Sequence, residues 1–199
     1  EYNGIKLTGA GVAPIGENTG LQEIKNIIQK DAYTSEKIGG EVVKKDILHD
    51  WVEHAVGIAP ALRDLHIGYD AGNGMAGILV DELRKNTPLH IEGLYLQPDG
   101  SFPNHPANPL DFNNLSDLIS LVKTKALDCG IAFDGDGDRA FMVDEQGGVL
   151  SGSVLGSLII EKILQQNPGA TILYNAITSR IVSDTIKRLG GKAIRTRVG

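Results

Sequence analysis

From Leu65 onward the apolar residues fall into short runs, split by glycine-rich turns and by stretches whose apolar positions recur three and four residues apart. That alternation predicts strand, turn, helix, strand. Strands are expected at 65–70, 91–96 and 128–133, with 71–77 as a turn opening a helix and 98–109 as a loop. A helix at about 114–126, capped by Asn114, points Leu115, Leu118, Ile119 and Val122 inward. A hairpin follows, 140–143 and 149–150 around the turn 144–148. Helix 153–165, strand 171–174, helix 179–189 and strand 192–196 then begin a second unit of the same grammar.

Ahead of Leu65 the pattern is less regular. Ile5-Lys6-Leu7 reads as a strand entering a glycine turn, and a helix is expected at about 19–31 with Thr19 and Gln22 as a capping box and Leu21, Ile24, Ile27 and Ile28 as its apolar face. Gly39-Gly40 breaks the pattern. A helix at 46–56 places Ile47, Leu48, Trp51, Val52 and Ala55 inward, with the tryptophan as a packing residue. The fold class is therefore α/β, mixed sheets sandwiched by helices. Three segments are expected: 1–45 as the tail of one domain, 46–150 as a complete domain, and 151–199 as the unfinished first half of another. The chain opens on Glu1-Tyr2-Asn3-Gly4 without a methionine and stops at Val198-Gly199 just after a strand, so it reads as truncated at both ends.

Composition narrows the function. The 199 residues are 41% hydrophobic, enough for sizeable cores, and carry a net charge of -6 without a basic cluster. Nucleic acid and anionic membrane are not the expected partners. Cys129 is the only cysteine, so no disulfide forms within the chain. A reducing, cytoplasmic setting fits, since no apolar window has the length of a membrane span and no leader is recognisable.

The richest chemistry lies in Asp134-Gly135-Asp136-Gly137-Asp138-Arg139. Acids at two-residue spacing share one side of an extended backbone, and the glycines between them let it curl so that the acids converge. Without an ion, each carboxylate pair at ~4–5 Å repels by roughly 4 kcal/mol at an effective dielectric near 20. All-oxygen ligands suit magnesium, manganese or calcium rather than zinc or copper. A solvated acidic turn is the plainer alternative, although turns rarely stack acids so regularly. An EF-hand calcium loop is the sharper rival, with Asp134 as its first ligand and Glu145 as its last. It fails where that loop needs glycine and this chain has Arg139, and the strand-like 128–133 stands where an entering helix belongs. Arg139 beside a cation could bind phosphate bidentately, the pairing that phosphoryl transfer uses.

Other motifs are weaker. Gly72-Asn73-Gly74-Met75-Ala76-Gly77 is a loose G-x-G-x-x-G, but Glu92 lies inside its strand and no ribose-binding acid follows, so close helix–strand packing explains the glycines better. The five histidines are scattered, without zinc-hydrolase spacing. His49 and His54 belong to a polar helix face, and His105 to a proline-rich loop where a hydrogen-bonded role is expected. Lys6 on local grounds is a surface lysine.

These residues resemble the α-D-phosphohexomutases, specifically the bacterial phosphomannomutase/phosphoglucomutase branch. The run 134–139 is similar letter for letter to that family's magnesium loop. Tyr2-Asn3-Gly4-Ile5-Lys6 resembles the segment after its phosphoserine loop; 70–77 and Pro98-Asp99-Gly100-Ser101-Phe102-Pro103-Asn104-His105 with Asn108-Pro109 resemble second-domain turns; Thr178-Ser179-Arg180 and 195–199 resemble third-domain segments. The resemblance implies phosphohexomutase-type domains and reversible transfer of a phosphoryl group between the 1- and 6-positions of a hexose phosphate, through a phosphoserine and a hexose bisphosphate. It implies Mg2+ held by Asp134, Asp136 and Asp138, Arg139 at the moving phosphate, and Lys6 near the phosphoserine. The serine loop would precede Glu1 and the sugar-recognition loop would follow Gly199, so the isolated chain is expected to be inactive. A noncatalytic calcium-binding or α/β interaction module is the alternative.

Overall fold

The computed structural model describes residues 5–32, 40–59 and 62–198. The chain forms two compact units, Glu1–Lys45 and Asp46–Gly199. In the first, the expected strand at 5–7 is replaced by a single bridge between Thr8 and Pro14, closed by Gly9 N to Ala13 O and Ile15 N to Leu7 O. Helix α1 spans Gln22–Gln29 and begins later than expected. The cause is local: Gly20 sits at φ +134, and the Thr19 hydroxyl accepts from Gly16 N at 2.7 Å instead of capping forward. None of this unit's described residues is buried, and Leu21, Ile27 and Ile28 of the expected apolar face are exposed while Ile24 is half-buried. The segment 1–4 and Gly39 lie outside the described residues.

The second unit opens with α2, Leu48–Ile58, whose first turn is held by the Asp46 carboxylate accepting from Leu48 N. Val52 is fully buried, but Trp51 is 50% exposed and is not the packing residue expected of it. Strands β1 (Leu65–Asp70), β2 (Leu89–Leu94), β3 (Cys129–Phe133), β4 (Ala140–Asp144) and β5 (Val149–Leu150) form one sheet in the order β2-β1-β3-β4-β5. The first three are parallel, and β4 and β5 return antiparallel. Strand β2 starts two residues earlier than expected because it pairs in step with β1, Leu65 with Leu89 through Asp70 with Leu94, and Tyr95 then leaves the ladder at φ +52.

Crossovers cover both faces. Helix α3, Val80–Asn86, follows a 3-10 turn at Met75–Leu79, and α4, Ser116–Lys125, follows one at Phe112–Leu115. The cap ahead of α4 is Asp111, which accepts from Asn113 N; Asn114 donates to Asn108 O instead. Two-residue alternation along β1 divides the core. Ile67 and Tyr69 pack with Ala76, Val80 and Ile91 on the α3 side, while Gly68 lets Leu118 and Val122 of α4 lie close on the other. Leu115, Leu118, Val122, Leu127, Ala132 and Val143 complete that second layer. Helices α5 (Gly152–Gln166) and α6 (Arg180–Arg188) pack with the parallel pair β6 (Thr171–Asn175) and β7 (Lys192–Thr196) around a separate core of Ile160, Leu164, Val182 and Ile186.

A Cβ at Gly77 would run into the carbonyl oxygen of Leu96, which belongs to the backbone and cannot step aside. Gly77→Ala should therefore lower unfolding free energy by about 2 kcal/mol or more in urea denaturation. Gly57→Ala, where a Cβ meets nothing within 4 Å, is expected to stabilise α2 by about 0.5–1 kcal/mol.

Candidate metal centre

Strands β3 and β4 pair up to Phe133 with Ala140, so residues 134–139 are the whole of a six-residue hairpin loop. It closes through Asp134 N to Arg139 O at 3.2 Å and Gly137 N to Asp134 O at 3.0 Å, with Gly137 at φ +75, where a side chain would be strained. Asp134 is 1% exposed. Its Oδ1 accepts from Arg139 N at 3.0 Å and its Oδ2 from Arg139 Nε at 2.6 Å. Asp136 and Asp138 are exposed, and one carboxylate oxygen from each of the three acids lies within 4.8 Å of the others. Arg139 Nε is also 3.7 Å from Asp138 Oδ1. Burial pushes the Asp134 carboxyl up, but the Arg139 amide and guanidinium outweigh it and hold the group below the ordinary range. The Arg139 guanidinium lies against Asp134 and Asp138 where the oxygens converge. This all-oxygen set fits a hard dication.

Neighbouring segments brace the loop. Met75 N donates to Gly135 O at 3.0 Å, and a Cβ at Gly74 would stand 2.7 Å from that same oxygen, so the turn approaches this closely only because position 74 has no side chain. Asn73, at φ +58, is the hub of the next layer. Its amide donates to Tyr95 O, its carbonyl accepts from Asp99 N, and its side chain donates to Gln97 O and accepts from Asn104. The loop at 98–109 is thereby drawn toward the acidic loop, and Phe102 comes within 3.4 Å of where a Cβ of Gly135 would lie. Beneath it, fully buried Asp70 faces His105 Nε2 at 3.1 Å and accepts from Gly72 N. Burial raises the Asp70 carboxyl above its ordinary range, against the lowering effects of Gly72 and His105.

His105 thus has the hydrogen-bonded role its loop suggested. Asp70, Asn73 and Tyr95 were not anticipated, and only the turn-forming character of 70–77 hinted at them. The glycines of 72–77 serve close packing. Strands flank the acidic loop on both sides, and Glu145 lies in the β4–β5 turn, so the EF-hand arrangement is not realised. Lys6 is exposed and belongs to the first unit, whereas the acidic loop belongs to the second. Arg195 donates to Ala176 O, and Ile177 is exposed.

An α/β/α layer with its acidic loop at the carboxyl end of a parallel strand defines an α/β domain, and that end is where open α/β sheets generally bind ligands. Comparison with known proteins narrows the class. Residues 49–148 match the family model "Phosphoglucomutase/phosphomannomutase, alpha/beta/alpha domain II". The whole chain is 35% identical to a phosphoglucomutase of Neisseria meningitidis serogroup B over 199 residues, and 35% identical to a phosphomannomutase of Vibrio cholerae over 206. A solved phosphoglucomutase/phosphomannomutase family protein from Burkholderia thailandensis superposes with a TM-score of 0.83 at 32% identity, covering 92% of this chain and 39% of that one. The chain belongs to the phosphoglucomutase/phosphomannomutase family. It spans 43% of the Neisseria protein and 44% of the Vibrio protein, less than half of either.

Arg139→Ala removes the side-chain donor to a buried carboxylate and should lower the melting temperature by several degrees in chelator-containing buffer, read by circular dichroism. Asp70 gives a pH signature. Its raised folded pKa means that its contribution to stability is present below the unfolded value of about 3.9 and is lost as pH rises through the folded value. Asp70→Asn, neutral throughout, should gain on the wild type as pH rises from about 4. Parallel urea curves check this, and a pH-independent difference would exclude it.

Proposed function

We propose that this chain is the magnesium-holding central part of a phosphohexomutase, which moves a phosphoryl group reversibly between the 1- and 6-positions of a hexose phosphate. The observation that carries the reading is the hairpin loop 134–139, with three aspartate oxygens within 4.8 Å of one another beside Arg139, in a chain of this family. Asp134, Asp136 and Asp138 would hold the Mg2+. Bound there, the ion supplies positive charge against the phosphoryl group in transit. Asp134 keeps the Arg139 guanidinium oriented through Nε, which leaves the planar fork beyond it as the phosphate-facing end. Lys6, from the other unit, would act near the phosphoserine as a charge stabiliser or proton-transfer partner.

On the same reading, 1–45 is the end of a first domain, 46–150 a whole second domain and 151–199 the beginning of a third. The phosphoserine loop and the sugar-recognition loop belong to flanking sequence, so the 199-residue chain by itself binds the ion without turning over substrate. Hexose phosphate and hexose bisphosphate are partners of the full-length enzyme. Among the described residues no helix is long and apolar enough to cross a membrane, and a cytoplasmic location is part of the proposal.

Mg2+ titration of this chain tests the core of the reading. At 100 times its dissociation constant the ion should add about 2.7 kcal/mol to unfolding free energy, an effect that Asp136→Ala should abolish. In the parent protein the same substitution should reduce glucose 1-phosphate to glucose 6-phosphate conversion by at least about a hundredfold, followed through coupled dehydrogenase absorbance. Equal Mg2+ responses in wild type and Asp136→Ala would sink the assignment.

A further inference from the structure

The geometry points to a second metal site, of different chemistry, at the opposite end of the sheet: Asp64, His66 and His90 form a surface site for a borderline transition dication of the zinc class. His66 and His90 are direct partners across the parallel β1–β2 ladder, so their side chains leave the same face at neighbouring positions. Their rings stack with centroids 4.4 Å apart and 9° between planes. His90 Nε2 lies 3.1 Å from Asp64 Oδ1, and one ligand atom from each of the three residues falls within 4.8 Å of the others. Two imidazoles and a carboxylate are a donor set that zinc, nickel or copper prefers and that magnesium does not.

The surroundings favour a cation. Asp128 Oδ2 accepts from His66 N at 2.7 Å, and Glu92 stands two residues along the same face from His90, paired with Lys125 at 2.7 Å. Three acids therefore lie around the histidines, against Lys125 and Arg84, which both act on Glu92. The backbone here is held by the ladder and by Asp128 N donating to His66 O, while the side chains of His90 and Asp64 are more than half exposed. Parallel rings cannot both aim a lone pair at one ion, so binding requires one imidazole to turn out of the stack about χ2, a soft torsion for an exposed ring. Protein then supplies three ligands and water the rest, giving a labile site that clips edge strand β2 to β1. Four residues separate His66 from Asp70 along β1, and Asp134 lies two beyond the level of Asp70, so the two sites stand roughly 20 Å apart.

Zn2+ titration of the untagged chain in saturating Mg2+, by calorimetry and thermal melting, tests the proposal. One Zn2+ per chain and a raised melting temperature are expected, together with the visible absorption of a low-symmetry Co2+ site when Co2+ replaces zinc. His90→Gln should weaken uptake at least about tenfold, and His66→Gln combined with His90→Gln should abolish it, with circular dichroism showing both variants folded. Asp136→Ala should leave zinc uptake intact, which separates this site from the magnesium loop. Zinc uptake unchanged in the double variant, uptake lost in Asp136→Ala, or no uptake by the wild type would each overturn the proposal.

Discussion

The second unit is organised around a crowding of negative charge: three aspartates are held in a hairpin loop too short to let them part. Antiparallel pairing of β3 with β4 up to Phe133 and Ala140 sets the loop length, and closure by Asp134 and Arg139 sets its curl. At separations within 4.8 Å each carboxylate pair repels by about 3.5 kcal/mol or more at an effective dielectric of 20. The Asp134–Arg139 pair relieves part of that.

Keeping such a loop in place takes support from residues with no charge to offer. Gly74 and Gly135 meet backbone to backbone, and Met75 N binds the Gly135 carbonyl, so the turn after β1 acts as a wall beside the loop after β3. Asn73 then joins that turn to Tyr95, Gln97, Asp99 and Asn104, and Tyr95 in turn donates to Asp117 on α4 at 2.6 Å. That hydrogen bond, with some burial, pushes the Tyr95 phenol up to about 12 and keeps it a donor. The Asp70–His105 contact completes the brace from below. A polar network with every member satisfied is rigid, and this one holds the acidic loop in place.

The two ends of the parallel strands are chemically unlike. The carboxyl end gathers carboxylates and a guanidinium; the amino end gathers imidazoles on a ladder-fixed backbone. Parallel order makes this possible because all three strands point the same way, so residues early in each strand meet at one edge and residues just past each strand meet at the other.

Local periodicity carried a great deal. The strands at 65–70 and 192–196, the 140–150 hairpin and the helices expected at about 114–126 and 153–165 were legible because their apolar spacing was regular and their turns were glycine-rich, and the acid spacing of 134–138 marked out the loop after β3. Errors arose where a neighbour outvoted the local pattern. Thr19 looks forward to Gln22 in sequence but turns back to Gly16, Trp51 stays half in solvent beside buried Val52, and β2 takes its start from β1. Residue order therefore determined which elements form and where along them the run of acids falls. Tertiary structure decided who stands next to whom, Gly74 against Gly135, Asp70 against His105, His66 against His90, because contact between segments tens of residues apart depends on strand order and register, which no local pattern encodes.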